Sequence, residues 1–173
     1  MGSPDSKYIV NLIASAKKGN KNSFLQLVEL NLGNIYLLSL RLLKNQKMAS
    51  EITGDIFNHT WQNLKQIRSD TSFTAWLHGI AIYKNLELFR NNKYINKNQN
   101  STDTTPTDQR NKKLENLING LESEERIAFV LHDIEGYKYG EVSDLMPEYS
   151  EQTIIEFVFS ARKKLAKGFE YDL

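Results

Sequence analysis

Cysteine is absent from this 173-residue sequence, so the chain forms no disulfide and holds no metal ion through thiolates. Histidine is scarce as well. The three histidines, His59, His78 and His132, lie far apart and follow no metal-ligand spacing. The sequence contains no glycine-rich phosphate loop and no nucleophile elbow. These absences predict a protein that is not an enzyme, with no catalytic residue, no metal site and no cofactor.

Long hydrophobic runs are also missing. No apolar segment approaches the ~20 residues of a membrane-spanning helix, and none has the pattern of a signal peptide. Hydrophobic residues nevertheless make up 40% of the chain, which is more than a disordered chain carries. We therefore expect one or two small folded domains, a cytoplasmic location and no membrane contact.

Charge is balanced over the whole chain but not along it. The sequence has 22 basic and 21 acidic side chains, a net charge of +1. Residues 1–90 carry 11 basic and 6 acidic side chains, net +5, and residues 91–113 carry 5 and 2, net +3. Residues 114–173 carry 6 and 13, net −7. The basic front suits a polyanion such as nucleic acid, whereas the acidic back repels one.

Apolar residues recur at helical spacing throughout, and strand signals are weak. Four helices are predicted in the front part: one that stops at Gly19, one from Ser23, one over about Lys47–Ile67 and one from near Ser72. Residues 94–112 are polar, rich in Asn and Thr, and contain Pro106, which is typical of a flexible linker.

Shorter helices are predicted in the back part. They cover about Lys113–Asn119, the segment from Ser123 to a stop at Gly136, about Tyr139–Leu145, and Glu151 to about Lys167 with Ser150 as the N-cap. A short helix, a tight turn and a longer helix form the helix-turn-helix arrangement. The predicted fold class is all-α, with two small helical domains over residues 1–93 and 113–173, joined by the linker at 94–112.

Several segments resemble the extracytoplasmic-function (group 4) sigma factors, the two-domain initiation factors of bacterial RNA polymerase. Region 2 of that family resembles the segments IYLLSLRLL, ASEITGDIFNHTWQNL and TSFTAWLHGIA. Region 4 resembles LINGLESEERIAFVLHDIEGYKYGEVSDLM followed by QTIIEFVFSARKKL. The resemblance covers nearly the whole chain and rests on the order and spacing of the motifs. It implies two partners, core RNA polymerase and promoter DNA.

The resemblance also implies roles for particular residues of region 2. Residues of the third helix would dock on the clamp helices of the polymerase: Glu51, Asp55, Asn58 and Gln62. Other residues would bind the melted −10 element: Lys65, Arg68, Ser69, Asp70, Tyr83, Lys84 and Arg90. Gly79 and Ile82 replace basic residues that are usual in the family, which makes selection of a −10 sequence doubtful. Alternative interpretations stay open for three of these residues. Lys65 and Lys84 fit a solvated surface equally well, and Tyr83 fits a packing role.

The last helix departs from the family where it would read the −35 element. Ile155, Phe157 and Phe159 replace the usual basic and small polar residues, and Glu156 adds a carboxylate where phosphates approach. We therefore predict that region 4 binds a protein partner, itself DNA-targeting, instead of −35 DNA. This surface comprises Gln152, Ile155, Glu156, Phe157, Phe159, Arg162 and Lys163. In the opposing interpretation Phe157 and Phe159 are buried and the basic residues only complement the helix dipole.

Two alternatives stay open at this point. The first is an ordinary sigma factor that reads −35 and −10 DNA and is held by an anti-sigma factor. The second is a sigma-derived adaptor or decoy that no longer initiates transcription.

Overall fold

A computed structural model of the chain describes residues 4–68, 72–93 and 109–170. These residues form eight α-helices and no β-strand, which confirms the all-α prediction. The chain divides into two compact units, Met1–Leu40 with Gln46–Tyr94 and Arg41–Asn45 with Ile95–Leu173, called unit 1 and unit 2 below.

Unit 1 contains four helices: α1 (Pro4–Lys17), α2 (Lys21–Leu43), α3 (Gln46–Asn63) and α4 (Phe73–Lys93). The part of α2 that belongs to unit 1 ends at Leu40. The predicted stop after α1 is confirmed at Gly19, whose φ of +93° suits glycine. The third helix was predicted to reach Ile67, but α3 ends at Asn63 and a 3-10 turn follows at Leu64–Gln66. The core consists of apolar side chains that recur every three or four residues, so each helix buries one face. Its fully buried members include Leu27, Ile35, Leu38, Ile56, Leu77 and Ile82.

One buried amide links two helices of unit 1. The Asn85 side chain is inaccessible to solvent, and its Nδ2 donates to Ser39 Oγ at 2.9 Å and to the Ala81 carbonyl at 2.8 Å. Its Oδ1 finds no hydrogen-bond partner among the described residues. Because a buried polar group is costly unless it is paired, this contact favours one register of α4 against α2.

Unit 2 contains the other four helices: α5 (Gln109–Asn119), α6 (Ser123–Phe129), α7 (Tyr139–Leu145) and α8 (Glu151–Glu170). A π-helical turn, Val130–Ile134, extends α6, and the predicted stop is confirmed at Gly136 with a φ of +81°. Residues 94–108 of the predicted linker lie outside the described residues. Residues 109–112 belong to α5, so that helix extends into the predicted linker. The domain boundaries themselves stay a prediction.

The predicted helix-turn-helix elements of unit 2 are present. Helix α7 has the predicted bounds, and a turn over residues 146–150 leads into α8. Ser150 caps α8 as predicted, because its Oγ accepts a hydrogen bond from the Thr153 N–H at 3.2 Å. The predicted buried stripe of α8 is confirmed at Ile154, Val158, Ala161 and Leu165. Helical geometry then fixes which residues of α8 face outward.

Candidate functional site

Polar side chains follow one exposed face of α3. They are spaced four, three and four residues apart, which places them on the same side of the helix. The opposite side holds the buried Ile52 and Ile56. The members of the exposed stripe are Glu51, Asp55, Asn58 and Gln62. The structure thus brings all four predicted polymerase-binding residues together, and their binding to polymerase stays a prediction.

The residues predicted to bind the −10 element lie on different elements of unit 1. Lys65 is exposed in the 3-10 turn after α3, and Arg68 is exposed just beyond it. On α4, Tyr83 is 61% exposed, whereas Lys84 and Arg90 are half-buried. Ser69 and Asp70 lie outside the described residues. Binding of the −10 element by any of the seven residues stays a prediction.

Tyr83 and Lys84 line an open groove of unit 1, together with residues for which the sequence predicted no role in binding. It has a volume of about 380 Å³. Its lining consists of His59, Ala75, Trp76, Gly79, Ile80, Tyr83 and Lys84. The spacing of Trp76, Ile80 and Tyr83 along α4 is the sequence signal that could have indicated a shared face.

One large apolar side chain stands out on the exposed face of α8. Gln152, Glu156, Phe159 and Lys163 follow a spacing of four, three and four residues and are all exposed. Phe159 is 69% exposed, so the interpretation that buries it is wrong. This stripe lies opposite the buried residues of α8.

The other two apolar residues of the predicted surface are partly covered. Ile155 and Phe157 are both half-buried. The Phe157 ring meets the Tyr149 ring edge-on, with centroids 5.1 Å apart at 75°. Tyr149, in the turn before α8, thus covers part of Phe157, so this member of the predicted surface also packs within unit 2. The apolar feature of this surface centres on Phe159.

Two cations of α8 are bound by carboxylates of their own unit. Arg162 donates to Asp133 through Nε at 2.8 Å and through Nη2 at 2.6 Å. Lys164 Nζ lies 2.7 and 2.9 Å from the two oxygens of Glu125, which also accepts from Ser160 Oγ at 2.7 Å. Both cations stay 50% exposed, so a phosphate could reach them only in competition with the carboxylate that already binds each one.

The ionisation of both pairs follows from these contacts. The hydrogen bond to Asp133 raises the pKa of Arg162 above its usual value, so the guanidinium stays charged. Burial alone would raise the pKa of Glu125, but the hydrogen bonds from Lys164 and Ser160 outweigh it, so that pKa lies below its usual value. The Arg162 guanidinium and the Glu125 carboxylate are therefore both charged near neutral pH.

The lowered pKa of Glu125 predicts a pH-dependent contribution to the stability of unit 2. The contribution is fully present above the usual carboxyl value of 4.5 and is lost as the pH falls through the lower value of the folded state. We expect Glu125→Gln to lower the free energy of unfolding by about 1 kcal/mol at neutral pH, because Lys164 is half-exposed. Amide hydrogen exchange of α8 measures this effect.

Exchange is the suitable measurement because both tryptophans, Trp61 and Trp76, lie in unit 1 and do not report on unit 2. Glu156→Gln is the matched control, since Glu156 is exposed on α8 and accepts a hydrogen bond from Gln152 Nε2 at 3.4 Å. Equal protection of α8 in both variants at neutral pH would contradict the prediction.

No metal site is visible over residues 4–68, 72–93 and 109–170, because no three potential ligand side chains come close enough together there. Among the helices in the same ranges, none has the length and hydropathy that a membrane span requires.

Known proteins resemble both the sequence and the fold. The family described as sigma-70, region 4, matches residues 111–165, from α5 into α8. The ECF RNA polymerase sigma factor SigW of Bacillus subtilis (strain 168) is 28% identical over 81 residues, which are 47% of this chain and 43% of SigW. The match thus represents less than half the length of that relative.

Two solved structures share the fold. The sigma factor RpoE, in complex with the anti-sigma factor NepR from Bartonella quintana, has a TM-score of 0.64 at 18% identity, with 87% of this chain and 98% of that chain covered. CnrH, in complex with the cytosolic domain of CnrY, has a TM-score of 0.57 at 21% identity, with 94% and 97% covered.

The α7–turn–α8 arrangement of unit 2 is therefore a sigma-70 region 4 domain within an all-α, two-unit protein. The match to sigma-70 region 4, together with the similarity to SigW in sequence and to RpoE in fold, confirms the resemblance to the extracytoplasmic-function sigma factors that was seen in the sequence.

Proposed function

We propose that this chain directs core RNA polymerase to promoters in the cytoplasm, and that a DNA-targeting protein holds its region 4 in place of the −35 element. One observation carries the proposal: α8 presents an exposed Phe159 while its cations Arg162 and Lys164 are bonded to Asp133 and Glu125. A helix that reads DNA presents unpaired cations and polar donors on its exposed face, where α8 presents the Phe159 ring and cations already bound to carboxylates.

The charge of region 4 supports this proposal. Residues 114–173 carry a net charge of −7, and several carboxylates are exposed on α7, α8 and the turn between them. The exposed carboxylates are Glu141, Asp144, Glu148, Glu151 and Glu156. Each of them repels a phosphate, and each cation already paired contributes no counterion release on DNA binding.

The exposed ring of Phe159 supports a protein partner. Aromatic side chains that lie near the centre of an interface and fill a pocket on the partner supply a large share of the binding energy. Phe159 is surrounded by the polar residues Gln152, Glu156 and Lys163 of the same stripe. The partner that fits this surface has an apolar socket with a polar rim that offers a cation to Glu156 and a carboxylate to Lys163.

Unit 1 supplies the remaining part of the proposed function. The exposed stripe of α3 would bind the clamp helices of the polymerase. The net charge of +5 over residues 1–90 favours contact with the melted promoter strand.

Photo-crosslinking from position 159 tests the region 4 proposal. A benzophenone amino acid replaces Phe159 in the full chain, expressed in the cells that produce it, and the adducts are identified by mass spectrometry. We expect one dominant adduct, a DNA-associated protein, because the ring is exposed and surrounded by polar residues. The same probe at Tyr8, a 52% exposed aromatic residue of α1, is the matched control.

A dominant adduct to promoter DNA from position 159 would contradict the proposal. Salt-sensitive, sequence-specific binding of the full chain to a −35 duplex would also overturn it. Run-off transcription with core polymerase, with and without the identified partner, then separates an initiating factor from a decoy.

The ordinary sigma factor under anti-sigma control is the second candidate. The observation that favours it is that Lys163 and Lys167 are exposed on α8, because exposed cations bind phosphates. The solved complexes of RpoE with NepR and of CnrH with CnrY make an anti-sigma partner a reasonable proposal for this chain too. Run-off transcription that requires an intact −35 element and no further protein would favour this candidate.

A further inference from the structure

The chain leaves the 3-10 turn of unit 1 at Ile67, in an extended backbone conformation with φ −62° and ψ 127°. The Ile67 side chain is 6% exposed and so belongs to the core. A carbonyl group at the end of a helical turn has no partner in the turn itself and must find one elsewhere. The Ile67 carbonyl finds it in α1, because Lys17 Nζ donates to it at 2.7 Å from 50 residues earlier in the chain.

The backbone that carries Lys17 is fixed on both sides. Lys17 is the last residue of α1 and follows Ala16, which is 3% exposed. A tight turn comes next, in which the Gly19 N–H donates to the Ala16 carbonyl at 2.9 Å. Ser23 Oγ of α2 donates to Ser15 Oγ at 2.9 Å, which ties this end of α1 to α2. The ammonium group therefore extends from a rigid base.

The contact lies one residue before Arg68, which is exposed. Because Ile67 is buried and its carbonyl is bound, the place where Arg68 begins is set by the peptide before it. A cation at the end of α1 also complements the helix dipole, but any cation of the last turn does so. The 2.7 Å hydrogen bond to a carbonyl of another element points to a specific role for Lys17.

We propose that Lys17 is a positioning residue for the melted promoter strand. Its ammonium group holds the Ile67 carbonyl, and this contact fixes the place from which Arg68 reaches the strand. Lys17 acts through Arg68 and not through DNA, since its ammonium group is engaged in a part-buried hydrogen bond. The inference rests on the proposed function, which places the melted strand on unit 1, and it adds a residue of α1 for which the sequence predicted no role.

Pulsed electron double resonance between two nitroxide labels tests the positioning directly. The chain has no cysteine, so Arg68→Cys with Glu29→Cys provides two unique labelling sites, the second on an exposed position of α2. We expect a narrow distance distribution in this background and a clearly broader one when Lys17→Met is added, because the Ile67 carbonyl loses its donor. Lys18→Met is the matched control, since it removes an exposed cation from the next residue, and it should keep the distribution narrow.

Fluorescence anisotropy of the full chain with a labelled oligothymidylate tests the consequence for single-stranded DNA. At low salt, Arg68→Ala should weaken binding about tenfold, because a hydrogen bond between charged groups is lost. Lys17→Met should weaken it about threefold, as part of that contact is lost, whereas Lys18→Met should have little effect. In the Arg68→Ala background, Lys17→Met should cause no further loss, because Lys17 acts only through Arg68.

Two further measurements separate positioning from folding. Lys17→Arg keeps a donor at this position and should restore both the narrow distribution and the affinity. Fluorescence of Trp61, whose ring packs on Phe24 in unit 1, should be the same in Lys17→Met and in the wild type. A changed Trp61 signal in Lys17→Met, with no rescue by Lys17→Arg, would show a merely structural role and overturn the inference.

A distribution that stays narrow in Lys17→Met would overturn the inference and leave the proposed function intact. An equal loss of affinity from Lys17→Met with and without the Arg68 side chain would also overturn it, since Lys17 would then not act through Arg68. If Arg68→Ala binds the oligothymidylate as the wild type does, the contact of Arg68 with the strand is refuted and the inference fails with it. A wild-type chain that does not bind core polymerase overturns the proposed function itself.

Discussion

Replacing Glu125 by glutamine and Asp133 by asparagine in one chain is expected to increase duplex DNA binding by region 4. The double substitution releases Lys164 and Arg162 from their carboxylates, which now lie 2.7 and 2.6 Å away. Two released cations should steepen the plot of log affinity against log salt by about 1.8, since each phosphate contact contributes about 0.9. Between 200 and 50 mM salt, affinity should then rise about tenfold more than in the wild type.

A second double variant separates released cations from a mere change in net charge. Asp144→Asn with Glu156→Gln also removes two negative charges, but from exposed positions of α7 and α8. It should raise affinity modestly and leave the salt slope close to that of the wild type, because it frees neither Arg162 nor Lys164. Identical slopes for the two double variants would show that the ion pairs do not withhold cations from DNA.

Charge reversal on the α3 stripe is expected to abolish binding to core polymerase. Glu51→Lys with Asp55→Lys places two cations on the exposed face that we assign to the clamp helices. Like-charge contacts at an interface cost several kcal/mol, so we expect a loss of affinity of about 100-fold or more. Biolayer interferometry with immobilised core polymerase measures the loss directly.

The matched control reverses two exposed carboxylates elsewhere in unit 1, through Glu29→Lys and Glu87→Lys. It has the same net charge as the test variant and should bind polymerase nearly as the wild type does. Fluorescence of Trp61, which packs on the buried Phe24 with ring centroids 4.9 Å apart, reports whether unit 1 remains folded in each variant. An equal loss of affinity in both variants would refute the assignment of the α3 stripe.

The helices with strong local signals were predicted closely. The bounds of α7 matched because Gly136 stops the preceding helix and a turn ending in the capping Ser150 follows. The start of α5 at Gln109 was placed four residues too late, because residues 109–112 are polar and give no apolar periodicity. The end of α3 was placed too late, since Leu64 and Ile67 keep an apolar spacing of three that a 3-10 turn shares with an α-helix.

The candidate site was predicted only in part. The spacing of Glu51, Asp55, Asn58 and Gln62 already places them on one face, and the structure adds that this face is exposed. From the sequence, Arg162 and Lys163 were placed on the predicted partner surface, and the helix dipole was the opposing explanation of the basic residues of α8. The structure shows instead that Arg162 and Lys164 are bound by carboxylates. Their carboxylate partners lie 29 and 39 residues earlier in the chain, a separation for which sequence offers no pairing rule.

The sequence by itself determined that this protein is all-α and that Phe159 faces away from the buried stripe of α8. A helix turns by a fixed angle per residue, so the order of apolar residues sets which side chains are buried. Only the tertiary structure decided that Arg162 and Lys164 are paired with carboxylates of unit 2 and that Gly79 lines a groove together with Trp76 and Tyr83. Both features depend on distances between side chains of different helices, which packing fixes and the chain order does not.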